Sequence, residues 1–273
     1  AEGRAIQDRL RDRVILDEAG PEPGTGLVTG VDVAYDDEKD VVGGGGRGGG
    51  GAARGGRGGG APPRPPPGRP GGPGAGGGPA PAPGGPRGGA GPNPHYPPGG
   101  GGAGGGLPPP TLETVEEATA VGTIAFPYVP GLLAFREIPT VLKALEELSV
   151  DPGLVVCDGY GLAHPRRFGL ASHLGVLTGL PVIGVGKNPF TFTYEAPGPL
   201  RGASSPLLDG DEVVGRALRT RENTSPVFVS VGHRISLDNA CAHTLRLAGR
   251  YRQPESTRRA DALCRQTLRE ATA

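Results

Sequence analysis

Hydrophobic residues near the N-terminus repeat first with the spacing of a helix and then with that of a strand. Ile6, Leu10 and Val14 are four residues apart and predict a helix with one apolar face. The stretch LVTGVDVAY is β-branched and apolar around one acid, Asp32, which is typical of a core strand. After the polar turn DDEKD, Val41 begins a second strand, but glycine replaces its continuation. The pattern therefore predicts a sheet whose second strand is truncated or missing.

The ordered pattern resumes at Thr111 and continues almost to the end of the chain. TLETVEEATAVG predicts a half-exposed strand, and the apolar stripe over residues 132–148 predicts a helix. Further strands are predicted at GLVVCDG, PVIGVGK, DEVVGRALRT and PVFVSVGH, and further helices at residues 165–179, 236–247 and 255–271. Strands that form a meander and then alternate with helices predict an α/β fold, in which helices flank a mixed central sheet.

Composition separates residues 43–110 from the rest of the chain. This segment holds 32 of the 53 glycines and 18 of the 32 prolines, with six arginines and no acidic residue. Poly-glycine has no side chains to bury, and proline cannot donate to a central ladder. We therefore predict that residues 1–42 and 111–273 form a single domain. Residues 43–110 are predicted to be a disordered insertion or replacement rich in Gly, Pro and Arg.

The sequence leaves three explanations of this segment. A shifted reading frame would produce it, because Gly, Pro, Ala and Arg have codons made of G and C alone. We favour this explanation, since it also accounts for the truncated strand. A genuine insertion would add nonspecific affinity for nucleic acid through its arginines. An RNA-binding glycine–arginine module is disfavoured, because six arginines in 68 residues are few and the only aromatic residue is Tyr96.

The formal net charge of zero conceals a contrast between the two parts of the chain. The segment carries +6, so the other 205 residues carry −6. A zero sum does not exclude a local cationic groove for nucleic acid. The three cysteines are scattered, which argues against a disulfide framework or a zinc site and favours a reducing, cytoplasmic compartment. No apolar run approaches the roughly 20 residues of a membrane helix, so we expect no membrane partner.

Three acids occupy positions where they could meet in the folded chain. Asp32 lies inside a strand, Asp158 ends another strand, and Glu137 lies near the start of a helix. Ligand sites in α/β sheets collect at strand ends. Carboxylates that fold together repel one another unless a cation is present, and Mg²⁺ prefers oxygen ligands. The alternative is that each acid caps a helix or pairs with an arginine.

Five other residues are candidates for contacts with a nucleic acid, each with an ordinary structural alternative. Lys187 follows a buried strand and would neutralise a phosphate, or would simply be solvated. His233 ends a predicted strand, and Asp238 lies in the first turn of the next helix, where the helix dipole would stabilise its negative charge. His164 precedes two arginines and another predicted helix. Tyr128 stands between two prolines in a stiff loop, from which an aromatic ring would wedge into a base stack or cap the core.

Taken together, five blocks of the sequence resemble the endonuclease V family in their order and spacing. These blocks are GVDVAY, PYVPGLLAFRE, CDGYGLAHPRRFGLASHLG, PVIGVGK and GHRISLDNA. The resemblance implies a ribonuclease H-like fold and recognition of hypoxanthine, the deaminated form of adenine. It also implies a nick at the second phosphodiester bond on the 3′ side of the lesion. The family uses Mg²⁺, with Mn²⁺ as a substitute, and leaves 3′-hydroxyl and 5′-phosphate ends.

The same resemblance implies a role for each candidate residue. Asp32, Glu137 and Asp158 resemble the metal-site carboxylates, His233 an additional active-site residue and Lys187 a phosphate contact. The base-recognition residues implied by the motifs are Tyr128 as the wedge and Gly131, Leu133, Gly159, Tyr160, Gly161 and His164 as the pocket. Tyr160 stands where many relatives have histidine, and Asp238 is implied as a support of the metal site. Glycines in such a pocket let the backbone approach a flipped base.

These inferences predict a monomeric DNA repair endonuclease that acts on deoxyinosine, with the choice between DNA and RNA left open. The alternative is a catalytically impaired relative that binds inosine-containing nucleic acid without cutting it. In that alternative the glycine-rich segment disrupts the sheet and removes the support of Asp32. Cleavage and binding assays distinguish the two hypotheses.

Overall fold

The computed structural model describes residues 2–39, 41–50, 112–124, 129 and 131–273. Within these residues the helices are α1 (Glu2–Arg11), α2 (Ala134–Glu146), α3 (Leu170–Thr178), α4 (Leu237–Leu247) and α5 (Glu255–Thr272). The strands are β1 (Leu27–Asp36), β2 (Val41–Gly50), β3 (Glu113–Thr123), β4 (Leu154–Cys157), β5 (Val182–Gly186), β6 (Thr193–Tyr194), β7 (Ser204–Asp209), β8 (Glu212–Leu218) and β9 (Val227–His233). No helix of the described chain is long and apolar enough to cross a membrane.

The strands form one mixed sheet in the order β3-β2-β1-β4-β5-β9-β8-β7-β6. The first three strands are an antiparallel meander, and β1 then runs parallel to β4 and β4 parallel to β5. From β5 to β6 the neighbouring strands are again antiparallel. The predicted α/β architecture with a mixed central sheet is therefore confirmed. The β6–β7 pair was not predicted, because its two strands are short and largely exposed.

Helices cover both faces of the sheet. Alternate residues of the central strands point to opposite faces, so Val156 packs toward α4 while Val155 packs toward α2 and α3. The last helix, α5, lies against β1 and β2. It approaches closely, because a Cβ placed on Gly30 would be only 2.2 Å from the backbone of Ser256. These layers hold the carboxyl ends of β4 and β5 beside the start of α2.

The glycine-rich strand β2 corrects the prediction that the second strand is truncated or missing. It pairs along its whole length with β1, from Asp36 opposite Val41 to Leu27 opposite Gly50, and its other edge pairs with β3. Ladder hydrogen bonds use only backbone N–H and C=O groups, which glycine supplies as well as any other residue. The missing side chains also leave room for the helices, since a Cβ on Gly44 would be 2.8 Å from Thr140 Cγ2.

The folded domain therefore includes residues 43–50, which the sequence assigned to the disordered segment. All described residues belong to one compact unit. The predicted disorder of the rest of the segment lies outside the described residues and stays a prediction. The truncated strand was one of two arguments for a shifted reading frame, so composition alone now supports that explanation.

Candidate active site

Two of the predicted acids lie side by side because their strands are parallel neighbours. Val31 is in register with Cys157, so the next residues, Asp32 and Asp158, emerge together from β1 and β4. Glu137 joins them from the first turn of α2, where its side chain is buried. The three acids line one small cavity of about 10 Å³. Such a volume holds about one water molecule or one ion.

Burial and mutual repulsion make this acid cluster costly to ionise. Burial is the main cause that raises the pKa of Asp32 to about 7; the charge of Asp158 adds to it, and a backbone hydrogen bond from Val33 opposes it. Burial likewise raises the pKa of Glu137 to about 8, with contributions from Asp32 and Asp158. A cation bound between the carboxylates would lower their pKa values again, because it compensates for the lost hydration and offsets the repulsion between like charges.

Lys187 supplies one cation at this place. It follows β5, the parallel neighbour of β4, and its Nζ forms an ion pair with the Asp158 carboxylate. Burial is the largest single influence and lowers the lysine pKa. The hydrogen bond to Asp158 and the charges of Asp158, Asp32 and Asp261 together outweigh it, so the lysine pKa is raised. The lysine that was predicted to contact a phosphate thus lies beside the acids, where its ammonium group could pair with a bound phosphate.

The acid cluster fits a hard divalent ion by its chemistry, although the side chains do not yet converge on one point. No three His, Cys, Asp or Glu side chains among the described residues are arranged as a ready metal site. The donors are nevertheless carboxylate oxygens, the ligands that Mg²⁺ and Mn²⁺ prefer. Because Asp158 is paired with Lys187, binding of an ion would require this lysine to turn away from it.

A fourth acid, Asp261 of α5, was not among the residues that the sequence predicted. Its negative charge raises the pKa values of both Asp32 and Lys187, which places it near the cluster. Cys264, three residues further along α5, donates its S–H to the Asp32 carbonyl at 2.9 Å and holds the helix there. In the sequence, Asp261 stands among arginines in RRADALCR, so it resembles an exposed helical acid. Only the docking of α5 on β1 reveals it.

A larger cavity of about 230 Å³ opens beside the acids and holds most of the predicted base-recognition residues. Asp158 lines both cavities. The other residues that line the larger cavity are Gln7, Val129, Gly131, Leu133, Ala134, Gly159, Tyr160, His164, Gly169, Leu170 and Phe190. Gly161 is not among the residues that line the cavity. It packs against β9 so closely that a Cβ at this position would be 2.0 Å from the Val231 carbonyl oxygen. Gly161 therefore lets the loop pack on β9.

An aromatic wall borders this cavity. The rings of Tyr160 and Phe190 are stacked, with centroids 5.7 Å apart and planes 8° apart. The Tyr160 hydroxyl donates to the Asn188 carbonyl, which fixes the ring. Phe190 remains 45% exposed, so one part of the wall is open to a ligand. The sequence did not predict a role for Phe190, because an aromatic residue in a loop carries no periodic signal.

Two polar side chains that line the cavity are held in place by hydrogen bonds. His164 accepts from the Arg166 N–H at Nδ1, and burial lowers its pKa to about 4, so the ring is neutral. Gln7 of α1 is 1% exposed and donates from Nε2 to the Gly131 and Phe168 carbonyls at 3.0 and 3.2 Å. Its Oε1 has no partner among the described residues. Gln7 was not predicted, because it lies 124 residues before Gly131.

Two of the predicted site residues, His233 and Asp238, do not line the acid cavity. His233 pairs with Val182 at the beginning of β5, whereas Lys187 follows the other end of that strand. The histidine is buried, and its Nδ1 accepts from the Ile15 N–H at 3.1 Å. Asp238 is exposed and bonds to Arg216 at 2.6 Å. Both residues stabilise the fold at the far end of the sheet. The predicted wedge, Tyr128, lies outside the described residues.

Comparison with known proteins assigns the chain to a family. The family model described as Endonuclease V matches residues 107–262. Endonuclease V of Streptomyces avermitilis is 56% identical over 272 residues, which cover 100% of this chain and 93% of the relative. The Streptomyces coelicolor protein of the same name is 58% identical over 268 residues, 98% of this chain and 90% of the relative.

Solved structures agree with the fold as well. The crystal structure of the Streptomyces avermitilis protein superposes with a TM-score of 0.76 and covers 100% of this chain and 94% of that one. A Ciona intestinalis endonuclease V, in complex with a 24mer DNA that contains an inosine followed by a ribo-adenosine, is 22% identical. It has a TM-score of 0.66 over 99% of this chain and 98% of that one. The predicted ribonuclease H-like fold is thereby confirmed, and the chain belongs to the endonuclease V family.

Proposed function

We propose that this chain is a metal-dependent DNA repair endonuclease that recognises deoxyinosine. It hydrolyses the second phosphodiester bond on the 3′ side of the lesion and leaves 3′-hydroxyl and 5′-phosphate ends. One observation carries the proposal: Asp158 lines both the acid cavity and the larger cavity, so recognition of a base and chemistry at a phosphate are adjacent. The neighbour from Ciona holds DNA with an inosine, and we propose the same class of ligand here.

The acid cluster is the proposed catalytic centre. Asp32, Glu137 and Asp158 would hold Mg²⁺, or Mn²⁺ in its place, with Asp261 close by. The bound ion would activate water and stabilise the leaving oxygen. Lys187 leaves Asp158 and binds a phosphate oxygen, which keeps the ammonium paired throughout. The cluster would thus lose the ion pair between Lys187 and Asp158 and gain contacts to the metal ion and to the substrate phosphate.

The larger cavity is the proposed site of the flipped base. An inosine pair is cheap to open, so the base leaves the stack readily. The Tyr160–Phe190 wall provides a stacking surface, and Tyr128 is proposed as the wedge that fills the gap in the duplex. Gly131 and Gly159 have φ values of 78° and 150°, which glycine adopts without strain and which expose the backbone to the cavity. Hypoxanthine in RNA presents the same edge, so an end-labelled RNA with one inosine, incubated in parallel with the DNA substrate below, distinguishes the two nucleic acids.

The test is incubation of the purified chain with Mg²⁺ and an end-labelled duplex that contains one deoxyinosine. We expect a single nick beside inosine and none in a matched duplex with adenosine. Asp158→Ala should abolish cutting and retain binding measured in EDTA, whereas Asp12→Ala, the same change at an exposed site, should cut normally. Cutting by Asp158→Ala would overturn the metal assignment. Binding by the unaltered chain without any nick would support the impaired relative instead.

The cell compartment and the oligomeric state belong to the same proposal. We propose a cytoplasmic monomer. The three cysteines are free and buried, which is compatible with a reducing compartment. Light scattering of the purified chain tests the monomer directly, since a mass twice that of the chain would contradict it.

A further inference from the structure

An exposed tyrosine lies among arginines in the loop between α4 and α5. Tyr251 is 38% exposed, and the guanidinium carbon of Arg258 lies 3.3 Å from its ring centroid. The guanidinium carbon of Arg250 lies 5.7 Å from the same centroid. Aromatic rings beside arginines are the means by which many proteins bind nucleic-acid strands, because bases stack on the ring and phosphates pair with the cations.

This loop is tied directly to the proposed catalytic centre. The Arg252 Nη2 donates to the carbonyl of Lys187 at 3.1 Å, so the loop rests on the residue that pairs with Asp158. On α5, Arg258 precedes Asp261 by three residues, which is about 4.5 Å along a helix axis. A strand that passes the acid cluster would therefore be within reach of Tyr251.

The charge of the loop suits a phosphate backbone. Between residues 249 and 259 there are four arginines and one acid, Glu255, which leaves three positive charges. Glu255 pairs with Arg258 and Arg259 at 2.9 and 3.0 Å. Arg250 is exposed and has no ion pair among the described residues. Four carboxylates at the catalytic centre repel a nucleic acid, so a neighbouring cationic surface would compensate for that repulsion.

We propose that Arg250, Tyr251 and Arg258 form a binding surface for the nucleic-acid strand next to the scissile phosphate. A base stacks on Tyr251, and Arg250 binds a backbone phosphate. The contacts are to features that every nucleotide shares, so the surface contributes affinity rather than recognition of inosine. The inference rests on the proposed function, because it takes the acid cluster as the place of cleavage.

The experiment measures binding in EDTA by fluorescence anisotropy over a series of KCl concentrations. The probes are a labelled single strand with one deoxyinosine and the same single strand without it, because the bases of an intact duplex are already stacked on one another. Arg250→Ala should reduce the slope of log K against log salt by about 0.7, the value for one lost phosphate contact on a single strand. Tyr251→Ala should weaken binding to both probes roughly tenfold, while Tyr251→Trp should restore it because stacking is retained.

Arg13→Ala is the matched control. Arg13 is exposed and lies two residues before Ile15, which contacts His233 at the far end of the sheet. This variant loses the same charge and should bind like the unaltered chain. Equal slopes for Arg250→Ala and Arg13→Ala, together with unchanged binding by Tyr251→Ala, would overturn the inference. If the unaltered chain nicks inosine in Mg²⁺ while this occurs, the proposed function stands and only the binding surface fails.

Discussion

At the scale of single residues, Tyr35 is a half-buried neighbour of the acid cluster. Its ring lies under the guanidinium of Arg136, whose carbon is 4.3 Å from the ring centroid. Its hydroxyl is buried and faces Glu137, but it falls short of a full hydrogen bond in the described atoms. Once an ion draws Glu137 into its ionised form, the hydroxyl is placed to donate to the carboxylate and orient it.

Tyr35→Phe should therefore weaken metal binding without changing the affinity for DNA. We expect the concentration of free Mn²⁺ at half-saturation, measured by electron paramagnetic resonance, to rise about tenfold, because hydrogen bonds to charged groups contribute about 1.5 kcal/mol. Tyr194→Phe, the same chemical change on β6, should leave Mn²⁺ binding unaltered. Equal Mn²⁺ affinity in all three proteins would assign Tyr35 to packing alone.

The raised pKa values of Asp32 and Glu137 predict how stability depends on pH. Both folded-state values, about 7 and about 8, lie above the ordinary range near 4. Between about pH 4 and pH 8 the folded protein keeps protons on these carboxyl groups that the unfolded chain has lost, so the free energy of unfolding decreases as pH rises. In EDTA the melting temperature should decrease from pH 5 to pH 8, and less so in Asp32→Asn. A melting temperature that rises over this interval in the unaltered chain would contradict the raised pKa values.

At the scale of elements, β2 allows a paired test of how glycine serves a central strand. Gly44 and Gly46 lie on the same face, but they meet different surroundings. A Cβ on Gly46 would have its nearest neighbour, Thr29 Cγ2, at 3.6 Å, which is ordinary contact. A Cβ on Gly44 would meet Thr140 Cγ2 at 2.8 Å and the Thr140 backbone at 3.2 Å. The face therefore tolerates a side chain at one end only.

Gly46→Ala should stabilise the protein by roughly 0.5–1 kcal/mol, because it reduces the freedom of the unfolded chain and adds a tolerated contact. Gly44→Ala should destabilise it by about 1–3 kcal/mol through overpacking against α2. Urea unfolding followed by circular dichroism measures both values. Equal effects of the two substitutions would mean that the strand does not lie against α2 as described.

At the scale of the whole molecule, the ends of the glycine-rich segment are already joined by the sheet. Gly50 of β2 pairs with Glu113 of β3, so the chain leaves and re-enters the domain at adjacent positions. A two-residue turn is enough to connect antiparallel strands at such a point. The segment between them is therefore not needed to span any distance within the domain.

Replacing residues 51–111 with Asn-Gly, which keeps Leu112 against the core, should leave nicking of inosine unchanged. The shorter loop should also stabilise the domain, by about 3 kcal/mol at most, since each doubling of loop length costs about 0.6 kcal/mol. Nicking assays and urea unfolding of both chains check these outcomes. Loss of RNA binding upon deletion, with nicking retained, would give the segment a separate role as a glycine–arginine module.

The sequence by itself determined the chemistry that each element carries. An acid inside an apolar strand (Asp32), an acid at the end of another (Asp158) and a lysine after a third (Lys187) are local signals. The glycines that line the larger cavity were implied instead by the resemblance to the endonuclease V family. The same local logic predicted the alternation of strands and helices, because periodicity depends only on neighbours in the chain. The limits of α3 were less predictable: it begins at Leu170, since Arg167 has a φ of 56° that interrupts a helix.

Tertiary structure alone decided which of these groups meet. Gln7 and Asp261 reach the site from helices at opposite ends of the chain. Because β9 runs antiparallel to β5, His233 lies beside the first residue of β5, at the end of the sheet opposite to Lys187. Strand order and direction are not written in any local pattern. The persistence of β2 follows from the same cause: its ladder depends on backbone groups and on neighbouring strands, so a stretch without side chains takes its place in the sheet.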